Sequence, residues 1–310
     1  MPESPADDAL SGLDALSGLD ALSGLDALSG LDALSGLDAL SGLDALRLRT
    51  RRLTPHPVQA RGRDYVLCWL MQALRADENP AIDAAIALAN RHGLPVVVVH
   101  ALENRYPHAS HRLHRFILEA SRELETGVAR RGLRFVRWVR RAGESEVDLV
   151  ARLAGRAAAV TVDDVPTFVT RDYADGLASR LDRAVFGVDA CCAVPMNAFP
   201  AHLRTTPAFR AAHTALRSAH LAADTTQAPG VSEFDGDLDL TSEPLGDDRA
   251  LDALIADCGV DMTLPPAPGW SGARTAALER LGHAVERVVG RYKWTRNNPA
   301  LADGSARISP

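Results

Sequence analysis

Two adjacent carboxylates, Asp163 and Asp164, follow the apolar run at 157–162 (AAAVTV). At the end of a buried strand such a pair can hold a ribose, a flavin-like ring or a metal, and it can equally cap a segment or face solvent. His108, His111 and His114 are spaced three apart. Helical metal ligands prefer a single face and usually recruit a carboxylate, so no metal site is expected there. Asp303-Gly304-Ser305 reads as a plain turn. The chain contains no GxGxxG, GxxxxGK[ST], GxSxG or HExxH pattern. An ordinary dinucleotide or phosphate cradle is therefore not written in it, and hydrolase chemistry has no candidate nucleophile. No catalytic residue is assigned.

The elements that must position these groups alternate. Residues 65–70 (YVLCWL) and 95–100 (PVVVVH) are short apolar runs rich in branched side chains, the pattern of buried parallel strands. Between them Ile82, Ala85, Ile86 and Ala89 fall at helical spacing, and Gly93 stands where a left-handed cap would end the helix. A second helix places Leu113, Phe116, Ile117, Ala120, Leu124 and Val128 on one face. Strands follow at 134–139, 157–162 and 184–188, with helices at 147–153 and 173–181. Five strands alternating with helices predict a Rossmann-like, doubly wound α/β fold around an open five-stranded parallel sheet. Ligands of such sheets sit beyond the carboxyl ends of the strands, which points to the loops 69–79 and 163–168.

Beyond the sheet, residues 222–272 are rich in Asp, Pro, Gly, Ser and Thr and suggest a long surface connection. Leu278, Leu281, Val285 and Val288 then share a helical face. At the other end DALSGL runs six times from Asp8 and is followed by DAL before Arg47, so that Leu recurs at every third position. That period suits neither a straight helix nor a strand, and a disordered or loosely helical extension is expected. Residues 1–46 carry eight Asp and Glu3 with no Lys or Arg, a charge of −9, which leaves +3 for residues 47–310 out of the total of −6. Such a balance permits an anionic partner without demanding one. Cys68, Cys191, Cys192 and Cys258 form no CxxC pair and read as small core residues. No apolar run reaches the ~18 residues of a membrane helix and no secretory signal is present, so a cytoplasmic protein is expected.

The stretch 69–82 (WLMQALRADENPAI) resembles the opening segment of the photolyase and cryptochrome family, through Trp69, Arg75, Asn79 and Ala81, with Glu78 and Ile82 as conservative replacements. Gln72 and Ala73 stand where that family often has Arg-Asp. The tryptophan and the following GLPVVVV run look most like the class II cyclobutane pyrimidine dimer photolyases. Residues 292–310 (YKWTRNNPALADGSARISP) resemble the stretch that begins the family's flavin pocket. Small hydroxyls and backbone N–H groups in a tight turn can hydrogen-bond a pyrophosphate while an Arg offsets its charge. Carried over by position, the resemblance implies FAD contacts at Tyr292, Ser305, Arg307, Ile308 and Ser309; Ala306 replaces a usual serine. It also implies an antenna crevice at Trp69, Arg75, Asn79 and Asp163, holding a deazaflavin or folate.

The resemblance divides the chain into a low-complexity tail and linker (1–63), an α/β domain (64–200), an interdomain linker with a short helix (201–272) and the first helices of an all-α FAD-binding domain (273–310). It implies light-driven, FAD-dependent repair of cyclobutane pyrimidine dimers in damaged DNA, the dimer being flipped from the duplex at a cost of a few kcal/mol. This chain is expected to be a truncated form that carries the antenna domain. A cryptochrome-like photoreceptor module and a stand-alone nucleotide-binding domain are the alternatives.

Overall fold

The two apolar runs at 65–70 and 95–100 lie side by side in the sheet. In the computed structural model, which describes residues 40, 43–141, 144, 146–166, 168–199, 203–301 and 303–306, β2 (Tyr65–Leu70) pairs in parallel with β3 (Val96–Leu102), Val66 opposite Val96. Every residue of both strands is buried, as expected of a sheet covered on both faces. Each such Val or Leu contributes about 1.5–3 kcal/mol on removal from water.

Around this pair the sheet is completed by β1 (Thr50–Arg52), β4 (Arg134–Val139), β5 (Ala157–Asp163) and β6 (Ala184–Val188), in the order β1-β6-β5-β2-β3-β4. Five strands run parallel, as the alternation predicts. The sixth, β1, is antiparallel to β6, with Thr50 opposite Val188. It falls within the segment assigned above to tail and linker, as does α1 (Asp44–Arg49). Three residues containing two arginines carry no apolar alternation, so pairing with an open sheet edge, rather than local pattern, makes them a strand.

The chain builds β2, β3 and β4 to one side and then returns to place β5 and β6 on the other. The order therefore reverses between β2 and β5, and the loops after these strands diverge there. Helices α2 (Pro80–His92) and α3 (His111–Arg130) cover one face, where Ile82, Ile86, Leu124 and Val128 meet Val66, Cys68 and Val98. On the other face α4 (Glu146–Ala154) and α5 (Phe168–Ala178) pack Val150, Leu153 and Leu177 onto Leu67, Trp69 and Val160.

α3 is rotated from the face expected of it. Leu124 and Val128 are buried, but Leu113 and Phe116 are 40% and 45% exposed while His114 and Ser121 take inward positions. A buried polar network drives the rotation. Arg137 of β4 donates from Nε to Ser121 Oγ at 2.8 Å and from Nη2 to Glu125 at 2.8 Å, and His100 shares the same hydroxyl at 2.8 Å.

Past β6 the chain forms α6 (Thr206–Leu221) and α7 (Asp248–Asp257). The expected surface connection is in part core: Leu251, Leu254 and Ile255 of α7 join Leu102, Leu118 and Val139 in a third apolar cluster. Of the cysteines, Cys68 and Cys258 are buried as expected, but Cys191 is exposed and Cys192 half-buried. A last helical stretch comprises α8 (Arg274–His283), a π turn (Ala284–Val288), a 3₁₀ turn (Val289–Arg291) and α9 (Tyr292–Thr295).

Candidate functional site

At the point of strand reversal Asp163, the last residue of β5, anchors the loop that leaves β2. Its Oδ1 accepts the Met71 N–H at 2.8 Å and its Oδ2 the N–H groups of Gln72 and Ala73, both at 2.7 Å. Burial pushes its pKa up to about 6, against the opposing pull of these three donors. Asp164 turns to the other side, where Arg51 of β1 grips it from Nε at 2.5 Å and Nη2 at 2.8 Å. Gly187 leaves room for that carboxylate, since a Cβ there would stand 3.1 Å from Asp164 Cγ. One strand further, Asp189 accepts the N–H groups of Cys191, Cys192 and Met196 at 3.2, 2.9 and 2.9 Å. The strand-end carboxylates thus hold the loops that rim the crevice.

Asn79 completes the loop after β2. It caps α2 by accepting the Ala81 N–H at 3.1 Å, and its Nδ2 donates to the carbonyls of Ala73 and Arg75 at 2.9 and 2.7 Å. Pro80 at the first helical position needs no N–H partner. Arg75 donates to the Glu78 carbonyl at 2.9 Å and the Ala190 carbonyl at 2.6 Å, tying this loop to the one after β6. Trp69 goes elsewhere: it is fully buried on the opposite sheet face, and its indole N–H has no partner among the described residues. Asp163, Arg75 and Asn79 therefore converge on one loop, and Trp69 belongs to the core behind it.

Beside this loop lies a cleft of about 320 Å³, lined by Arg75, Asp77, Thr126, Arg130, Arg274 and Thr275 among others. Gly127 sets its depth, because a Cβ there would come within 2.6 Å of Ala76 Cβ and push the loop off α3. Asp77 stands 3.8 Å from both Arg130 and Arg274. Glu123 accepts the Thr275 N–H at 2.9 Å and hydroxyl at 2.6 Å, fixing the start of α8. Three guanidinium groups, Arg75, Arg130 and Arg274, stand against two carboxylates, Asp77 and Glu123, of which Glu123 is engaged by Thr275; the remaining excess of one positive charge suits the cleft to an anionic ligand. Sequence reasoning missed Gly127, Arg130 and Arg274. They are brought to the loop only by packing, Gly127 and Arg130 from about 50 residues along the chain and Arg274 from about 200, and nothing local marks them.

The histidines go to separate partners. His111 Nε2 lies 2.8 Å from Asp252 of α7, and His114 is buried with Nδ1 2.9 Å from the Tyr106 hydroxyl.

Of the residues expected to contact FAD, Arg307, Ile308 and Ser309 lie outside the described residues. Tyr292 is 41% exposed and packs its ring by Arg296. Ser305 is exposed too, in a turn held by Arg280, which donates to the carbonyls of Ser305 and Ala306 at 3.1 and 2.8 Å. Asp303 in that turn sits 3.1 Å from His283 Nε2 and already pairs with the nearby cations. A phenol and a hydroxyl on an open surface do not enclose a flavin, so the described residues do not fit one by themselves.

A family model described as DNA photolyase matches residues 66–229, just over half of the chain. A deoxyribodipyrimidine photo-lyase of Methanothermobacter thermautotrophicus is 29% identical over 149 residues, which cover 48% of this chain and 32% of that protein. The chain thus spans about a third of the length of this curated relative. Among solved structures, a cryptochrome of Synechocystis sp. PCC6803 superposes with a TM-score of 0.54 at 17% identity, covering 80% of this chain and 52% of that one. A class III photolyase of Agrobacterium tumefaciens gives a TM-score of 0.47 at 19% identity, covering 80% and 50%. The likeness to the cryptochrome is one of fold.

Proposed function

Because the chain belongs to the DNA photolyase family, we propose that it serves the light-driven repair of cyclobutane pyrimidine dimers in DNA, supplying the α/β domain in which an antenna chromophore is held. The observation that carries this reading is the arginine-lined cleft beside the loop anchored by Asp163. A folate carries carboxylates that Arg75, Arg130 and Arg274 can neutralise, and its flat ring system suits a narrow cleft closed on one side by the Gly127–Ala76 contact. A deazaflavin is the other candidate. Within this reading Asp163 and Asn79 are positioning residues: they hold Arg75 at the cleft and touch no ligand. Trp69 backs the loop from the core. Tyr292 and Ser305, open to solvent, do not hold FAD by themselves; together with Arg307, Ile308 and Ser309 they would form only one edge of a flavin site, and damaged DNA is the macromolecular partner.

No helix among the described residues is long and apolar enough to cross a membrane, and we place the protein in the cytoplasm with its DNA substrate.

The test uses the purified full chain. Equilibrium dialysis with methenyltetrahydrofolate, a deazaflavin or FAD separates the chromophores. An oligonucleotide carrying one thymine dimer, followed under blue light and in the dark, reads repair. Binding of the folate or deazaflavin that weakens at least tenfold in Arg274→Glu supports the reading, as does light-dependent loss of the dimer. Chromophore binding without dimer loss would shift the assignment to a cryptochrome-like photoreceptor. If no chromophore binds and an adenine nucleotide raises Tm instead, the domain is a nucleotide-binding module and the reading fails.

A further inference from the structure

The loop after β6, the short turn at Met196–Ala198 and the first half of α6 enclose a groove of about 470 Å³ that no assigned function uses. Cys192, Val194, Met196, Phe199, Leu203 and Phe209 line it, with Phe199 stacked on Phe209 at 5.3 Å between centroids. One wall is uncovered, since α6 buries none of its 16 residues and Phe209 is 46% exposed. A helix of that length draws most of its stability from packing, so an apolar cover is called for. Charge on this surface has one sign. Residues 190–223 contain no Asp or Glu, and Arg204, Arg210 and Arg217 are exposed among them.

The amino-terminal repeat is complementary in both respects, offering Leu at every third position and an Asp in every unit with no Lys or Arg before Arg47. Two of its described leucines are packed into the domain. Leu40 and Leu46 are 0% and 1% exposed in the core cluster that contains Phe186 and Ala190. α1 lies on the turn that floors the groove: Asn197 Nδ2 donates to the Leu48 carbonyl at 3.1 Å, and Arg49 donates to the carbonyls of Cys192 and Ala193 at 2.7 and 3.1 Å. The repeat thus leads into a helix whose last residues, Leu48 and Arg49, contact the groove's own loop and turn, and 39 residues precede Leu40. At roughly 3.3 Å per extended residue, reach is no constraint, and the tether keeps the local concentration near the millimolar range.

We infer that this groove holds the leucine repeat of the same chain, with leucines on Phe199 and Phe209 and aspartates beside Arg204, Arg210 and Arg217. Three residues per turn is the period of a polyproline II segment, so an occupant in that form presents all its leucines along one edge. The repeat is then a clasp that fastens α6 to the sheet.

The test places a photo-crosslinking benzoylphenylalanine at Ser29 of the full chain and locates the joined peptides by mass spectrometry. The expected product links the repeat to residues 192–213 within one chain. Phe209→Asp should lower its yield at least tenfold, and so should replacing Leu25, Leu28, Leu31 and Leu34 by Ser; the second variant changes no residue of the described domain. High salt should lower the yield as well, through screening of the Asp–Arg pairs. Mixing isotopically heavy and light chains distinguishes occupants. Links between heavy and light copies, links to the face of Leu278, Leu281 and Val285, or a yield indifferent to both variants would each overturn the inference.

Discussion

Arg51 and Asp164 form a two-point ion pair between an edge strand that the sequence pattern does not reveal and the carboxyl end of β5. Asp164 is 5% exposed, whereas the Arg51 side chain is 40% exposed. Removing the guanidinium therefore strands a carboxylate that has little water around it. We expect Arg51→Met to destabilise the full chain by about 1–3 kcal/mol, with Asp164→Asn similar and the double variant less than additive. Urea unfolding of the three proteins checks this. Strict additivity would show that the pair contributes nothing to docking β1.

The cap on α2 offers a second measurement. Asn79 is fully buried and satisfies one N–H and two carbonyls at once. Asn79→Ala should cost about 2–3 kcal/mol, combining a lost cap with two unpaired carbonyls. Asn79→Asp keeps the cap but cannot donate, and should fall between the two. Thermal unfolding at one pH ranks them.

At Gly127 two effects oppose each other. An alanine inside a helix is favoured over glycine by about 1 kcal/mol. Here, however, its Cβ would meet Ala76 Cβ at 2.6 Å, far inside contact distance. Overpacking of this kind costs about 1–3 kcal/mol, so we expect Gly127→Ala to be net destabilising and to widen the cleft. A rise in Tm would mean that the loop yields freely.

Acid stability is set by groups of opposite sign. Burial, then the nearby Arg137, lowers His100 to about 3, and burial lowers His114 to about 4. Each imidazole binds its proton more readily when unfolded, so their contribution is complete above pH ~6.5 and is lost as pH falls toward 4. Asp163, raised to about 6, does the reverse: its neutral form is favoured in the folded state, and its contribution is lost as pH rises from about 4 to 6. Two histidines outweigh one carboxyl, so stability should climb from pH 4.5 to 7. Asp163→Asn should make that climb steeper. Urea midpoints at pH 4.5, 5.5 and 7 test both statements, and a slope unchanged by the substitution would show that Asp163 titrates normally.

The strands were legible because they are buried on both faces. Residues 65–70, 134–139 and 184–188 match the observed bounds of β2, β4 and β6, since continuous apolar runs flanked by turn residues have few other homes. Helix α3 shows where the pattern misleads: reading its apolar residues as the inward face places Leu113 and Phe116 inside, yet the partners of Arg137 and Tyr106 draw Ser121 and His114 inward instead.

The arrangement of carboxylates divides in the same way. By itself the sequence determined an alternating α/β chain, a strand followed by Asp163 and Asp164, and a loop beginning at Trp69, because side-chain size and period act over a few residues. Only the tertiary structure decided that Asp163 holds Met71, Gln72 and Ala73, that Arg51 reaches Asp164, and that Arg130 and Arg274 face Asp77. Those choices follow from strand order, which is set by how two faces of one sheet are covered at once, and no local stretch of chain contains that information.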